Sequence, residues 1–474
     1  MKDLATEQFG KEIDFPKLLS EIQEFMSANY STLMTDSEQR FEKESRIRKY
    51  LNDTAYFVEG ISQNELVDKL YNEMNLFSFL TPYLNFTIKD IEGIEIDSWN
   101  SVKIKHVGGK WERLKEHFIS PQHAYDVMNR LLDQSGITMD NGKPLARGHL
   151  DDKTRITVIG GGGVLDRDVG IAASIRFVNP NNLTTKQLID FGTATPDMID
   201  FLCTAFRYGC SEMLSGETDA GKTTLISIIM KESVPKEKKL ITIENGTREF
   251  NTKEYELGQM VNSVVHLVTR DSTNKANAIT QQMLLETAMT MNPDYLCMAE
   301  VKGSEAFETI EAALTGHPVI GTTHTDCAEG IPSRLVQLAA LKGTTLSDKT
   351  LYAMAVSAFP ILVFAKKCED GTRRIMKICE CALKDGQPSF LTLWEFVTLK
   401  NRIENEKTFI DGYFKKSNVI SKHLQDKLRR NGIPDEKLEQ FLKPEGDSFN
   451  AAHRVNRIPA HGGSHTGALG TVAV

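Results

Sequence analysis

The fold of this chain is decided by one stretch of its sequence, Gly216-Glu217-Thr218-Asp219-Ala220-Gly221-Lys222-Thr223. The stretch fits the pattern G-x-x-x-x-G-K-[ST], in which backbone N–H groups surround phosphate oxygens and the lysine meets the outer phosphates. Residues 210–215 predict a strand before it, and the apolar run from Thr224 to Met230 predicts a helix whose N-terminus faces the same phosphates. We therefore predict a P-loop in which residues 216–224 bind ATP and Thr223 is a ligand of Mg²⁺. The alternative is a glycine-rich turn before a core helix.

Three later apolar strands are each followed by a side chain that suits phosphate chemistry. The pairs are 240–243 with Glu244, 295–299 with Glu300, and 319–323 with His324. Ligands of an open parallel α/β sheet bind beyond the carboxyl ends of its strands, so we expect these three side chains at the nucleotide. A single carboxylate in such a position is often only a helix cap. The set of three favours a functional site.

The hydrophobic pattern divides the chain into segments. Apolar residues recur first at helical spacing, then alternate as in strands around a helix opened by Ser120-Pro121, and later fall into alternating strands and helices. The glycines at 160–163 favour a turn between strands over a phosphate cradle, because no capped helix follows them. The predicted segments are an N-terminal helical region 1–84, a small α+β domain 85–180, a linker 181–199, a parallel α/β domain 200–400, a helical C-terminal extension 401–443 and a disordered tail 444–474.

Several ordered motifs resemble those of the type II/IV secretion ATPase superfamily. Its Asp box, Walker B motif and His box are similar to Thr242–Asn245, 292–303 and Thr315–His324. Further matches are Ala173–Phe177, Phe191–Thr193, Thr195-Pro196 and Leu267–Arg270. The resemblance covers about residues 91–397 and is closest to CpaF/TadA-type ATPases of tight-adherence (Flp) pili. It implies that the α/β domain is a RecA-like P-loop NTPase domain.

The resemblance also implies roles for the residues that follow the strands. Glu244 matches the carboxylate that orients or deprotonates the attacking water, and Glu300 matches the acid that holds the Mg²⁺ shell. His324 resembles a sensor of the γ-phosphate.

Three arginines match positions that such ATPases offer to the phosphates. Arg155 and Arg176 belong to the predicted small domain, and Arg270 matches a candidate at the subunit boundary. A guanidinium there stabilises the negative charge of the transition state. For Arg176 the alternative is a solvated arginine on a strand.

Four residues depart from the family pattern. Asp219 stands where the family has glycine or serine, and Glu217 adds a second acid ahead of Lys222. If these acids point outward the phosphate cradle survives, whereas inward carboxylates would repel the nucleotide. Asn245 replaces an acid and Lys302 an arginine, which predicts slow turnover more than inactivity.

Composition limits the remaining possibilities. Charged residues make up 25% of the chain and the formal net charge is −8, so direct nucleic-acid binding is not expected. No run of eighteen apolar residues occurs, and the first fifteen residues lack the apolar core of a signal peptide, so we expect a cytoplasmic location. The seven cysteines suggest reduced core residues, and Cys379 and Cys381 lack the second pair that zinc would need.

Together these patterns predict an ATPase that powers pilus assembly or type II/IV protein secretion. By resemblance it forms a homohexameric ring, pushes on an inner-membrane platform protein, and lies at the inner face of the cytoplasmic membrane through its partners. Within the same class, the alternative is the traffic ATPase of a conjugative type IV secretion system. A P-loop nucleotide kinase and a non-hydrolysing regulatory module are alternatives of other classes.

Overall fold

The computed structural model of the chain describes residues 10–31, 33, 39–88, 90–106, 110–151, 154–161, 163–177, 183–246, 248–270, 277–404 and 407–444. The chain divides into two compact units, residues 1–179 and 180–474. Almost all of the tail predicted at 444–474 lies outside the described residues.

The first unit begins with a helical layer. Its elements are β1 Lys11–Glu12, α1 Phe15–Asn29, α2 Arg40–Thr54, β2 Tyr56–Phe57, α3 Gln63–Asn75 and α4 Thr81–Leu84. Helices α1, α2 and α3 each bury one apolar stripe, and Leu18, Ile47 and Leu70 have side chains with almost no exposed area. The N-terminus of α3 is fixed by a capping box between Ser62 and Glu65.

An antiparallel sheet follows in the same unit. Its elements are β3 Ile91–Ser98, β4 Ser101–His106, β5 Trp111–Arg113, α5 Pro121–Asp133, β6 Leu145–Asp151, β7 Thr154–Gly160 and β8 Ile171–Phe177. The strand order is β5-β4-β3-β8-β7-β6, and α5 packs on the sheet. Arg130 of α5 joins the two layers by donating to the carbonyl oxygens of Glu73 and Leu76, at 2.8 and 3.0 Å.

The second unit is built on a nine-stranded sheet. Its strands are β9 Glu212–Gly216, β10 Leu240–Glu244, β13 Val264–Val268, β14 Tyr295–Met298, β15 Val319–Thr322, β16 Ile361–Lys367, β17 Arg373–Lys384, β18 Gln387–Glu404 and β19 Lys407–Lys416; the short strands β11 Tyr255–Glu256 and β12 Gln259–Met260 form a separate hairpin. The order is β13-β10-β14-β15-β9-β16-β17-β18-β19. From β13 to β16 the neighbouring strands are parallel, and from β16 to β19 they are antiparallel.

Helices cover both faces of this sheet. They are α6 Thr185–Asp190, α7 Pro196–Arg207, α8 Lys222–Ser233, α9 Gln281–Met289, α10 Ala306–Leu314, α11 Ile331–Ala340, α12 Asp348–Ala358, α13 Lys422–Arg430 and α14 Asp435–Leu442. Phe206 of α7 and Ile229 of α8 belong to the core of one face, and Ile310 of α10 and Leu335 of α11 to the core of the other. The predicted fold class, an α/β RecA-like P-loop domain after a helical region and a small α+β domain, is confirmed.

Two of the predicted segments differ from the observed elements. The stretch 181–199 contains α6, which Thr184 and Gln187 cap, and the first turn of α7. Residues 401–404 and 407–416 are strand, so the helical part of the extension begins only at Lys422. Residues 398–404 of β18 are mostly exposed, which hides the alternation by which a half-buried strand is detected.

Two features bear on the membrane and on the cysteines. Among the described residues, no helix combines the length and the apolar character that crossing a bilayer requires. Cys379 and Cys381 are buried side chains of β17, and burial raises the pKa of each thiol to about 12.

Candidate nucleotide site

The phosphate loop joins the end of β9 to the start of α8. Gly216 has φ 146°, and a Cβ at that position would overlap the carbonyl oxygen of Ala365, its partner on β16. Gly221 has φ 84° and immediately precedes α8. Within the described residues no side chain caps this helix, so its first amides are free to face a ligand.

Lys222 lies at the centre of the loop. Its side-chain Nζ donates to the carbonyl oxygens of Gly216 and Glu217, at 2.7 and 2.8 Å, and the residue is only 8% exposed. Burial lowers the pKa of Lys222, while the charges of Glu300, Glu217 and Glu249 act to raise it. The lysine therefore lies within electrostatic reach of Glu300, as the sequence predicts.

Glu249 is one of the three acids whose charges act on Lys222, and the sequence analysis does not predict it. It lies five residues after Glu244, in the segment that leaves β10, and it is half-buried. A second acid shortly after the strand was the available signal. Because Glu249 does not directly follow a strand, the strand-end pattern does not select it.

Asp219, the unexpected acid of the loop, is held by cations from β16 and β17. Its carboxylate accepts from Arg373 Nη2 at 2.9 Å and from Lys367 Nζ at 3.0 Å. Arg373 Nε also donates to the carbonyl oxygen of Asp219 at 2.8 Å. Asp219 has φ 68°, a left-handed conformation that aspartate tolerates better than most residues. The carboxylate is thus neutralised by two side chains, which removes most of the repulsion expected of an acid in this loop.

Glu300 follows β14, and its carboxylate contacts both a histidine and a lysine. Its Oε1 lies 3.0 Å from His324 Nε2, and its Oε2 accepts from Lys302 Nζ at 3.4 Å. Gln281 of α9 donates to the main-chain carbonyl of Glu300 at 2.8 Å, which fixes the backbone. Burial alone would raise the pKa of Glu300, but the charges of Lys302 and His324 more than offset it and lower the pKa. The carboxylate stays ionised and about one-third exposed.

Glu244, at the end of β10, is fully buried. Its Oε2 accepts from the backbone N–H of Glu249 and, at 2.9 Å, from that of Phe250, while Oε1 accepts from Thr242 Oγ1 at 3.2 Å. Burial raises its pKa to about 7, although the two backbone hydrogen bonds act in the opposite direction. Glu244 therefore ties the segment after β10 back onto its own strand.

A buried histidine completes this polar cluster. His266 of β13 lies with Nδ1 2.7 Å from Thr242 Oγ1 and 3.7 Å from Glu244 Oε1, and with Nε2 3.3 Å from Thr252 Oγ1. Burial, with the charges of Lys253 and Arg248, lowers its pKa to about 4. A neutral imidazole that donates from Nδ1 to Thr242 leaves the threonine hydroxyl free to donate to Glu244.

Asn245 and Arg270 lie at the ends of the neighbouring strands β10 and β13. Asn245 Oδ1 accepts from Thr269 Oγ1 at 3.0 Å, which ties the ends of the two strands together. Arg270 is exposed, and its Nη2 donates to the carbonyl oxygen of Asn277 at 3.2 Å.

The two remaining arginines belong to the first unit. Arg155 of β7 and Arg176 of β8 are direct cross-strand partners, and each lies between buried neighbours on its strand. They therefore share the outward face of the sheet. Their predicted role at the phosphates stays a prediction.

The donors of the second unit fit the phosphate chain of a nucleotide. Two glycines leave the loop without side chains at its tight positions, the first amides of α8 face outward, and the ammonium of Lys222 supplies positive charge. Glu300 and His324 stand at the ends of β14 and β15, on the side of β9 away from β16. The geometry brings together the predicted phosphate loop, Glu300 and His324.

The chain is similar to several known proteins. A putative conjugal transfer protein of Mycobacterium tuberculosis is 25% identical over 298 residues, which is 60% of this chain and 80% of that protein. The type IV secretion system protein PtlH of Bordetella pertussis is 29% identical over 194 residues, 40% of this chain and 55% of that protein. Among solved structures, the VirB11 ATPase of the Brucella suis type IV secretion system, in complex with sulphate, has 20% identity, a TM-score of 0.33, and coverage of 63% of this chain and 95% of its own.

These similarities do not distinguish CpaF/TadA-type ATPases from other members of the superfamily, so the resemblance to that type stays a prediction. Residues 149–387, half of the chain, match the sequence profile of the type II/IV secretion system protein family. The chain therefore belongs to that family, and the secretion or pilus-assembly class predicted from its sequence is confirmed at the level of the family.

Proposed function

We propose that this chain is an ATP-hydrolysing ring motor that powers pilus assembly or type II/IV protein secretion at the cytoplasmic membrane. One observation carries the proposal: Lys222 of the phosphate loop lies within electrostatic reach of Glu300, which is paired with His324 on the next strand. Family membership supports the same class of function.

The proposed chemistry divides among these side chains. The loop amides and Lys222 bind the outer phosphates of ATP, and the hydroxyl of Thr223 and the carboxylate of Glu300 are oxygen ligands of the kind that Mg²⁺ prefers. When bound, Mg²⁺ would neutralise charge that develops on the phosphates. Lys302 and His324 keep Glu300 ionised for this task, and His324, 3.0 Å from Glu300, would respond to the terminal phosphate.

Glu244 is proposed as the group that orients or deprotonates the attacking water. A pKa of about 7 suits a general base at neutral pH. Both of its oxygens accept hydrogen bonds from protein groups, so this role requires the segment carrying Glu249 and Phe250 to release the carboxylate. Without that movement Glu244 only holds the segment after β10 against its own strand.

The assembly remains a proposal as well. Arg155, Arg176 and Arg270 would offer guanidinium groups to the phosphates within a homohexameric ring, where such groups stabilise transition-state charge. The ring would act on an inner-membrane platform protein and lie at the membrane through that partner, without direct contact with nucleic acid.

ATP turnover by the purified full chain tests the catalytic proposal. We expect Mg²⁺-dependent release of phosphate without a phosphorylated product, which separates an ATPase from a nucleotide kinase. Lys222→Ala should abolish turnover, whereas Glu311→Gln, a change on the exposed face of α10, should leave it intact. A wild-type chain that binds ATP without hydrolysing it would favour the regulatory module instead.

Mass in solution with and without a non-hydrolysable ATP analogue tests the ring. We expect a hexamer whose turnover falls sharply in Arg176→Ala and stays unchanged in Arg167→Ala, an exposed arginine of the same unit. A monomer that hydrolyses ATP normally without Arg176 would refute the ring.

The traffic ATPase of a conjugative type IV secretion system is the second candidate. The names of the Mycobacterium and Bordetella relatives, a putative conjugal transfer protein and a type IV secretion system protein, favour it. Deletion of the gene, complemented by wild type or by Lys222→Ala, separates the two candidates. Loss of surface pili supports pilus assembly, and loss of DNA transfer with pili retained supports conjugation.

A further inference from the structure

The hairpin formed by β16 and β17 contacts the phosphate loop at three points. At the start of the loop, Gly216 lies so close to β16 that a Cβ there would overlap the carbonyl oxygen of Ala365. In the middle, the carboxylate of Asp219 is bound by the two cations of the hairpin. At the end, a Cβ on Gly221 would lie 3.2 Å from Cδ of Arg373. The arginine side chain therefore lies against the loop between its middle and its end.

The guanidinium of Arg373 holds both the main chain and the side chain of Asp219. Its Nε donates to the carbonyl oxygen of Asp219 at 2.8 Å, and its Nη2 donates to the carboxylate at 2.9 Å. Two hydrogen bonds from one planar group to two parts of one residue restrict the torsions of that residue. Asp219 has φ 68°, a conformation that costs free energy for a residue with a Cβ. The guanidinium therefore stabilises a backbone conformation that glycine adopts without support.

The two cations are held in position by the turn between them. Lys367 ends β16, Arg373 begins β17, and the two residues are register partners. The turn at residues 368–372 is closed by two backbone hydrogen bonds, of 2.7 and 2.9 Å. Asp370 Oδ1 also accepts from the backbone N–H of Thr372 at 3.0 Å. Because the turn is tied internally, little conformational entropy is lost when the cations bind the loop.

We propose that Arg373 and Lys367 are positioning residues of the phosphate loop, which act on nucleotide binding through Asp219. When Arg373 is removed, the loop keeps a carboxylate that repels the phosphates and loses the support of its left-handed residue. The loop amides then bind the phosphates less well. The proposal rests on the function proposed above, because it takes the phosphates of ATP to be bound by this loop.

A direct contact between Arg373 and the nucleotide is the alternative. Two of the three guanidinium nitrogens already donate to Asp219, and both hydrogen bonds would have to break for the group to turn toward a phosphate. The side chains of Asp219 and Arg373 are 28% and 26% exposed, so solvent screens this pair less than a pair on the open surface. The contacts therefore favour an action through Asp219.

Titration of the full-length chain with ATP and with inorganic tripolyphosphate tests the proposal. Arg373→Met should weaken the binding of both ligands about tenfold, because a hydrogen-bonded charge pair is broken and its acid remains. In an Asp219→Gly background the same change should weaken binding less than about threefold, since glycine adopts the loop conformation unaided and leaves no acid to neutralise. Equal losses in the two backgrounds would overturn the proposal, because Arg373 would then act without Asp219.

Turnover of ATP gives a second readout that separates positioning from damage to the fold. Arg373→Met should raise KM about tenfold and change kcat less than about threefold, as expected when binding to the ground state and the transition state weakens equally. Lys367→Met should raise KM by a smaller factor, because Lys367 makes one contact with Asp219, at 3.0 Å. A fall in kcat with KM unchanged would contradict the proposal.

The matched control is Arg402→Met. Arg402 of β18 has the same exposed fraction as Arg373, 26%, and pairs with Asp411 at 2.8 Å, so its loss removes an equivalent ion pair that does not contact the loop. It should leave the affinity for both ligands and KM unchanged, and an effect as large as that of Arg373→Met would overturn the proposal. A wild-type chain that binds neither ATP nor tripolyphosphate would refute the proposed function and this proposal with it.

Discussion

Glu244 and Glu300 end two neighbouring strands of one sheet, yet their carboxylates have opposite surroundings. Glu244 is fully buried and its pKa rises to about 7, whereas Glu300 is about one-third exposed and its pKa is lowered. Backbone amides and a threonine hold the first carboxylate, and a lysine and a histidine hold the second. Although both residues follow strands at the same edge of the sheet, Glu244 can take up a proton near neutral pH and holds the segment after β10, whereas Glu300 stays ionised.

This difference separates the two functions that a carboxylate can have at such a site. An ionised and accessible group can hold a cation or face a phosphate from the start. A buried group near neutrality can exchange a proton, but it reaches the substrate only if its local hydrogen bonds open. We therefore expect Glu300 to act on the nucleotide directly and Glu244 to act only after its local hydrogen bonds open.

The largest expected effect is that of Glu300→Gln. Removing the charge that we propose faces the phosphates should lower the rate of ATP turnover by about 10² to 10⁴-fold, the range typical of lost acid–base or charge-stabilising groups. Nucleotide affinity, measured by titration with a fluorescent ATP analogue, should change little because Lys222 and the loop amides remain. Turnover within threefold of wild type would show that Glu300 does not act in the reaction.

Glu244→Gln should also change the pH dependence of stability. A carboxyl group with a pKa near 7 in the folded chain and near 4.5 when unfolded stabilises the fold below pH 4.5, and this contribution is lost as the pH rises to 7. The loss amounts to about 3 kcal/mol. Urea unfolding followed by circular dichroism between pH 4.5 and 8 should show that the stability of the variant rises relative to that of wild type as the pH increases. The idea fails if wild type and variant keep parallel profiles.

His266→Gln should reveal that His266 and Glu244 have opposite effects on the pH dependence of folding stability. The imidazole has a pKa of about 4 in the folded chain and near 6.5 when unfolded, so it destabilises the fold as the pH falls from 6.5 toward 4. In wild type this trend partly cancels that of Glu244. The variant should therefore lose stability more steeply than wild type between pH 4.5 and 7, in the same urea experiment. A shallower decline would mean that the two groups do not titrate as their burial implies.

The sequence predicts those parts of the site that depend on residues close together along the chain. The phosphate loop and the strand-ending residues Glu300 and His324 follow from local patterns, because a glycine-rich loop and the carboxyl end of a parallel strand are each set by nearby residues. The neutralisation of Asp219 by Arg373 could not be predicted, since 154 residues separate the two along the chain. The burial of Glu244 is equally non-local, because it depends on the return of Glu249 and Phe250 over the strand end.

The smallest expected effect is that of Lys302→Met, which should reduce the difference in pKa between Glu300 and Glu244. Lys302 contributes to the lowered pKa of Glu300, so its removal should raise that pKa and move Glu300 toward the behaviour of Glu244. Because both side chains are partly exposed, solvent and salt screen the pair, and the shift should stay below about one pH unit. The acid limb of the pH profile of kcat/KM for ATP should move upward by that amount, and Lys302→Arg should restore it. The matched control is Lys342→Met, which removes a lysine paired with Glu308 and should leave the limb unchanged. An acid limb that does not move in Lys302→Met would show that His324 and the surrounding dipoles suffice to keep Glu300 ionised.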